Sequence, residues 1–242
     1  MVALESTTPA TAPRASEPWY REQPHRRAVA EPTARAARAT AYFAAKRALD
    51  IAGTLVLAAV FAPLMLVIAL LLRKEGGPVI YRHRRIGRAG RPFQCLKFRT
   101  MVPDADRVLR DLLAQDSKLQ GEWLRNHKLR CDPRVTALGR FLRRTSLDEL
   151  PQLWNVLRGE MSLVGPRPVV QQELLRYGRS IQVYLSSRPG ITGLWQVQGR
   201  NDTHYRRRVA MDTYYVKRQS LLLDLYILVR TMRVVLGGRG AY

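Results

Sequence analysis

Two adjacent acids, Asp148 and Glu149, stand in the stretch Thr145-Ser-Leu-Asp-Glu-Leu-Pro-Gln-Leu-Trp-Asn-Val-Leu-Arg-Gly-Glu-Met-Ser-Leu-Val-Gly-Pro-Arg-Pro168, with arginines on both sides. Arg140, Arg143 and Arg144 precede them at i, i+3, i+4, the spacing of one helix face, and Arg167 follows between two prolines that stiffen its backbone. Neighbouring helical residues point about 100° apart, so the two carboxylates cannot do the same job on one atom. One can attack phosphorus as a nucleophile and form an acyl phosphate. The other can help hold Mg²⁺, which usually takes one or two carboxylates together with substrate phosphates and water. Phosphoryl transfer depends on positioning and on neutralising charge, and arginines around the acids suit that task.

A plainer account is available for the same residues. Ser146-Leu-Asp-Glu149 matches a capping box, in which Ser146 and Glu149 merely satisfy backbone donors at a helix start. Pro151 would then fall inside that helix, beyond the first donors that need no partner, and would delete a real hydrogen bond. Either the local geometry is unusual or the helix starts later.

The elements that must carry these acids are legible in outline. Pro78 to Ile86 and Pro92 to Met101 read as strands joined by Gly87-Arg-Ala-Gly90, a hairpin signal. Within Cys95-Leu-Lys-Phe-Arg-Thr100 the period of two puts Lys97 and Arg99 on one face. Such a pair suits a phosphate-bearing ligand, and a solvated strand face is the plainer alternative. Pro103 then opens a predicted helix to about His127, with Val108, Leu109, Leu112 and Leu113 as its buried stripe and Asp104 and Asp106 in its first turn.

A chain of 242 residues has room for one domain of ordinary size plus appendages. Its two cysteines, Cys95 and Cys131, lie far apart in no C-x-x-C context, which indicates neither a disulfide framework nor a zinc site and favours a reducing compartment. Forty-one Lys and Arg against nineteen Asp and Glu give a formal charge of +22. That demands a polyanionic neighbour: nucleic acid, anionic lipid or phosphorylated substrates. The choice turns on Ile51 to Leu72, a run without an ionisable residue that would be about 33 Å long as a helix, near the hydrocarbon thickness of a bilayer.

A signal peptide would begin nearer residue 1 and have a shorter apolar core. A spanning helix has the right length, yet both flanks are basic: Lys46 and Arg47 before, Arg73 and Lys74 after, then Arg82, Arg84, Arg85, Arg88 and Arg91. The positive-inside tendency favours both ends on one side. Pro63, near the middle, removes a hydrogen bond and can break the helix, which suits a re-entrant hairpin. A spanning helix with a tolerated proline is the other option.

Residues 1–40 are rich in Ala, Pro, Arg, Thr and Glu without apolar periodicity and read as a flexible basic tail. Ser220 to Leu236 is strongly apolar but carries Asp224, Arg230 and Arg233, too short and too charged to span, so it lies in the interface or packs as a core helix. The expected fold class is α+β and mostly helical. A membrane-inserted helix at 41–74 is followed by a domain at 75–242 with a small antiparallel hairpin.

From about Lys46 to the C-terminus the chain resembles the monotopic phosphoglycosyl transferases, the bacterial sugar transferases that start glycoconjugate and exopolysaccharide synthesis. The likeness is carried by the basic-flanked apolar segment with its central proline, Lys97-Phe-Arg-Thr-Met101, Asp132-Pro-Arg-Val-Thr136, Thr145-Ser-Leu-Asp-Glu-Leu-Pro151 and Gly165-Pro-Arg-Pro168. Pro189-Gly-Ile-Thr-Gly193, Gln198-Gly-Arg-Asn201 and Asp212 before Tyr214-Tyr-Val216 complete it. The resemblance implies transfer of a hexose-1-phosphate, galactose or glucose, from a UDP-sugar to undecaprenyl phosphate, with release of UMP at the cytoplasmic face of the bacterial inner membrane. It implies Asp148 as nucleophile through a covalent phosphosugar intermediate, Glu149 and Asp148 with Mg²⁺, and Arg143, Arg167, Lys97 and Arg99 near substrate phosphates. Arg200 and Asp212 fall in regions linked to the nucleotide-sugar. It also favours the re-entrant helix, although Ala62 stands where the family commonly has serine before the proline. Membrane lipid is an expected partner and nucleic acid is not, while a second copy of the chain and downstream glycosyltransferases are left open. A membrane-anchored basic binding or scaffold protein is the rival, and it would have no use for Asp148 and Glu149.

Overall fold

The computed structural model describes residues 34–126, 129, 131–198 and 204–236. Most of the expected tail, Arg200 and the terminal Gly237-Gly-Arg-Gly-Ala-Tyr242 lie outside them. The architecture is α+β and mostly helical, as expected, and residues Ala39–Tyr242 form one unit.

Helix α1, Ala34–Lys74, contains the whole apolar run. Its stretch Thr40–Lys74 is long and apolar enough to cross a membrane, and only 11% of its most apolar part is covered by protein, which rules out an ordinary core helix. The expected break at Pro63 is absent, because α1 remains one helix through the proline. One missing donor costs a single bond, and the helix keeps its bonded turns on both sides.

Polar residues before the apolar run tie α1 to the rest of the protein. Lys46 Nζ reaches Asp224 Oδ2 at 3.0 Å, and Asp50 Oδ1 accepts from Ser162 Oγ at 2.9 Å and from the Leu163 amide at 3.0 Å. At the other end Ile68 and Leu72 pack with Phe98 and Leu142. Both ends of the apolar segment therefore rest on the same unit.

Strands β1, Ile80–Ile86, and β2, Pro92–Phe98, pair antiparallel from Ile80↔Phe98 to Ile86↔Pro92, the hairpin read from the sequence. Ala89 and Gly90 take positive φ in the turn, and glycine does so at no steric cost. The single helix expected from Pro103 to His127 is instead two, α2 at Ala105–Gln115 and α3 at Ser117–Asn126. Asp116 is extended between them, and its Oδ1 accepts from the Lys118 and Leu119 amides, so the acid starts a new helix rather than continuing the old one. The expected stripe of Val108, Leu109, Leu112 and Leu113 is only half-buried.

Helix α4, Ala137–Thr145, precedes the acids and α5, Gln152–Leu157, follows them. A second, unexpected sheet is the parallel pair β3, Ser162–Val164, and β4, Gly190–Thr192. The short helices α6, Gln171–Leu174, and α7, Ile181–Leu185, connect these strands. Then come α8, Leu194–Gln198, α9, Tyr205–Arg218, and α10, Leu221–Leu236. The main core gathers Phe93 and Cys95 of β2, Leu153 and Val156 of α5, Leu163 and Val164 of β3, Leu194 of α8, Tyr215 of α9 and Ile227 of α10. Helix α10 is both a core and a surface helix. Asp224 and Ile227 are fully covered, while Leu222, Leu225, Tyr226, Val229 and Met232 are exposed, an apolar outer face that suits a membrane interface.

The β3–β4 pair brings Gly165-Pro-Arg-Pro168 against Pro189-Gly-Ile-Thr-Gly193. A Cβ on Gly165 would stand 2.5 Å from Arg188 O and 2.7 Å from Gly190 N, so only glycine permits the approach. Gly165→Ala should therefore lower stability by about 3 kcal/mol and displace Arg167, read as a fall in melting temperature. An unchanged melt would show that these segments do not pack as described.

Candidate active site

The chain reverses sharply before the acids. Ser146 ends α4 in the left-handed region (φ 60°, ψ 16°), and Leu147–Glu149 form one 3₁₀ turn before Pro151 opens the way into α5. Both alternatives left by the capping pattern are realised: the turn is unusual and the helix starts later, with no side-chain cap from Ser146. A positive φ at a serine is a costly conformation that its surroundings must hold in place, and here it sets the two carboxylates on a short turn facing β2.

Lys97, at the end of β2, meets them. Its Nζ lies 2.6 Å from Glu149 Oε1 and 3.6 Å from Asp148 Oδ2. Phe93, Cys95 and Lys97 alternate along one face of the strand, so the buried side of β2 ends in an ammonium at the acids. Burial alone would push that ammonium's pKa down, but Glu149 and Asp148 outweigh it and hold the value raised. Asp148 is buried, and its carboxyl is raised above the ordinary aspartate range by desolvation, with Glu149 adding to the rise while Lys97 and Arg143 oppose it. A carboxylate with few water contacts and a raised pKa is a stronger nucleophile than an exposed one.

Arg143 reaches this site from the last turn of α4, where its Nε donates to Thr100 Oγ1 at 2.9 Å. Of the three arginines expected on one helix face, Arg140 and Arg144 are exposed, and only Arg143 lines the cleft. Arg167 enters from the loop after β3. The cleft bounded by Lys97, Arg143, Asp148, Glu149 and Arg167 has a volume of about 2110 Å³ and continues between Val56, Leu57 and Phe61 of α1 and Leu228 and Met232 of α10. One end is cationic and acidic, the other apolar.

Two expected residues have partners that the sequence did not give. Arg99 lines the cleft as Lys97 does, but the strand stops at Phe98, and its guanidinium turns to the end of α1, donating to Pro78 O at 2.8 Å and Leu72 O at 2.9 Å. Those bonds anchor it. Asp212 lies behind the cleft wall, with Oδ2 accepting from Tyr177 OH at 2.8 Å. Burial pushes its carboxyl up to about 7, against the pull of Tyr177 and Arg167. The charge of Arg167 is felt at Asp212, and the Arg167 guanidinium stands 5.8 Å and that of Arg208 4.7 Å from the Trp195 ring in the cleft wall.

Several cleft residues went unmarked in the sequence. Trp195 lines the wall, and so do His83 and Arg85, alternate residues of β1. The alternation of His83 and Arg85 on a strand next to Lys97 was the signal available; Trp195 had none, because only the fold brings α8 to the site.

Among the described residues no group of three or more His, Cys, Asp or Glu could hold a metal by itself. Asp148 and Glu149, both facing Lys97, supply two adjacent carboxylates, the number that magnesium usually takes from a protein when phosphate and water oxygens complete its shell.

The pattern of the bacterial sugar transferase family matches residues 41–238. The chain is similar to the undecaprenyl-phosphate galactose phosphotransferase of Salmonella typhimurium, 51% identical over 197 residues that cover 81% of this chain and 41% of that protein. It is also similar to the exopolysaccharide production protein ExoY of Rhizobium meliloti, 51% identical over 199 residues, 82% of this chain and 88% of the relative. A third relative is the UDP-glucose:undecaprenyl-phosphate glucose-1-phosphate transferase of Caulobacter vibrioides, 42% identical over 211 residues, 81% of this chain and 72% of the relative. The chain spans about two fifths of the Salmonella protein's length and most of the ExoY protein's. With the acids, the lysine between them and the two flanking arginines gathered in one cleft, the chain belongs to the bacterial sugar transferase family.

Proposed function

We propose that the protein transfers a hexose-1-phosphate from a UDP-sugar to undecaprenyl phosphate, and so starts an exopolysaccharide or other glycan. The observation that carries this is the cleft itself: an acidic pair, of which Asp148 is buried, with a lysine and two arginines at one end and an apolar channel between α1 and α10 at the other. A polar diphosphate and an apolar chain can both reach the same carboxylate.

Asp148 attacks the sugar-bearing phosphorus. A bond forms from its carboxylate oxygen to phosphorus, and the bond to the bridging oxygen breaks, so UMP leaves with that oxygen. Arg143 and Arg167 neutralise the phosphoryl oxygens as charge redistributes. In the second step an oxygen of undecaprenyl phosphate attacks the same phosphorus and releases Asp148 as carboxylate, giving undecaprenyl-diphosphate-sugar. Glu149 and Asp148 would hold Mg²⁺, which supplies charge neutralisation on the diphosphate when bound. Lys97 keeps Asp148 ionised and aimed.

The tethering of α1 supports a placement with both ends of the apolar segment on one side of the membrane, and the basic flanks favour the cytoplasmic side for them and for the catalytic unit. Lys46 and Asp50 at one end and Leu72 at the other bind the same folded unit, and a helix with its ends on opposite sides of a bilayer could not do so.

UMP release by the detergent-purified protein tests the reaction, with undecaprenyl phosphate, Mg²⁺ and either UDP-galactose or UDP-glucose. Release with one sugar only when the lipid is present is expected, and chelation of the metal by EDTA should stop it. Folded protein that releases no UMP with either donor would overturn the proposal, and turnover undiminished by EDTA would remove the metal from it.

A further inference from the structure

A second, small recess lies nearer the N-terminal end of α1 than the cleft, and the two share no lining residue. One helical face of α1 forms its floor, with Phe43, Lys46 and Asp50 at i, i+3, i+7. Arg88 from the β1–β2 turn and Ser187 and Arg188 from the segment after α7 close it.

The charges there are not balanced. Lys46 is paired with Asp224. Asp50 spends one oxygen on Ser162 and the Leu163 amide. Three guanidinium groups, Arg47, Arg88 and Arg188, are left near that one remaining carboxylate. Arg188 is held below the usual arginine range by its burial and by Arg47 and Arg88. Arg47 is committed to the carbonyls of Val156 and Leu157, and among the described residues Arg188 gives only its Nε, to Gly159 O. Arg88 lies over the Phe43 ring at 5.9 Å, and among the described residues its guanidinium makes no hydrogen bond. Independently of these charges, the hydroxyl of Ser187 is buried against the recess without any hydrogen-bond partner. A buried hydroxyl left so is costly, and a donor beside open guanidinium groups calls for an oxyanion.

We propose that this recess is a second binding site for a phosphate-class oxyanion, held by Arg88, Arg188 and the Ser187 hydroxyl. Its volume, about 20 Å³, takes one oxygen about the size of a water. The rest of the phosphate stays outside among the guanidinium groups, which suits a phosphodiester with bulky substituents. The floor residues directly precede the apolar run that begins at Ile51, which sets the recess at the depth of lipid head groups. A headgroup phosphate of an anionic phospholipid and free inorganic phosphate offer the same oxygens.

The test uses the full chain in neutral detergent. Native mass spectrometry counts retained phosphatidylglycerol against phosphatidylcholine, and thermal melting follows added inorganic phosphate. Arg88→Gln, at an exposed position, and Ser187→Ala are compared with Arg84→Gln, an exposed arginine outside the recess. One phosphatidylglycerol retained per chain, in preference to phosphatidylcholine and weakened about tenfold in the Arg88 and Ser187 variants but not in the Arg84 variant, establishes the site with a lipid ligand. A phosphate-dependent rise in melting temperature lost in the same two variants, without lipid preference, establishes it with a soluble one. Absence of both effects, or equal losses in the Arg84 variant, overturns the proposal. Neither readout depends on turnover, so its failure is distinct from failure of the transferase reaction.

Discussion

Asp148→Asn should abolish the covalent intermediate and lower turnover by about 10³-fold or more, the scale seen when a nucleophile is removed. The substitution keeps the shape of the side chain on the 3₁₀ turn and removes the charge that faces Lys97 across 3.6 Å. An amide oxygen cannot form a stable bond to phosphorus, so both half-reactions stop together. The decisive measurement is label transfer. Protein incubated with a UDP-sugar labelled in the sugar should carry label that survives denaturation and is released by hydroxylamine, as an acyl phosphate requires. The Asp148→Asn protein should carry none, while Glu149→Gln, which leaves the nucleophile in place, should carry label that forms slowly. Label retained in the Asp148 variant would move the nucleophile elsewhere. Turnover without any label in the wild-type protein would make the reaction a direct displacement, with Asp148 acting through charge alone.

The site was legible wherever chemistry is local in the chain. Asp148 and Glu149 announce themselves by adjacency, Arg143 by its place in the last turn before them, and Arg167 by the prolines on either side. Strand periodicity pointed to Lys97 and Arg99, which both line the cleft, but it did not give the bonds of Arg99 to the end of α1, because alternation holds only while the strand lasts and β2 ends at Phe98. Asp212 was named from its motif, yet it stands one layer behind the wall, bonded to Tyr177. Motif and periodicity carry no depth: they cannot separate a residue that touches a ligand from one that supports its neighbour.

The fold shows the same division. The hairpin, the long apolar helix and the amphipathic α10 follow from patterns a few residues long. The parallel β3–β4 pair does not, because its two strands are three residues each and more than twenty residues apart, and their pairing depends on the glycine contacts between 165 and 190. The split of α2 from α3 turned on one aspartate whose side chain caps the second helix, a local signal weaker than the apolar stripe that ran through it. Continuity through Pro63 is the opposite case, in which a strong local signal lost to the many bonds of a long helix.

Lys97→Met should lower turnover by about 10²–10³-fold and, more tellingly, move the acid limb of the pH–rate profile to higher pH. The carboxyl of Asp148 is already raised, first by burial and then by Glu149, and Lys97 is the foremost influence pulling it back. Methionine fills similar space without the charge, so the pull vanishes and the raised pKa rises further. Activity requires the ionised carboxylate and falls as pH drops through that pKa; the variant must therefore lose activity at a pH where the wild-type protein is still fully active, and regain part of it on the alkaline side. A residue that merely packed against the turn would lower the rate equally at every pH. An unshifted acid limb would show that Lys97 serves only to bind substrate, through its ammonium and the phosphate, and that the protonation state of Asp148 is set by Arg143 and the incoming cation instead. A shifted limb together with retained label on Asp148 would place Lys97 as the residue that keeps the nucleophile charged in a buried site, which is the physical cost this cleft must meet before any phosphorus is attacked.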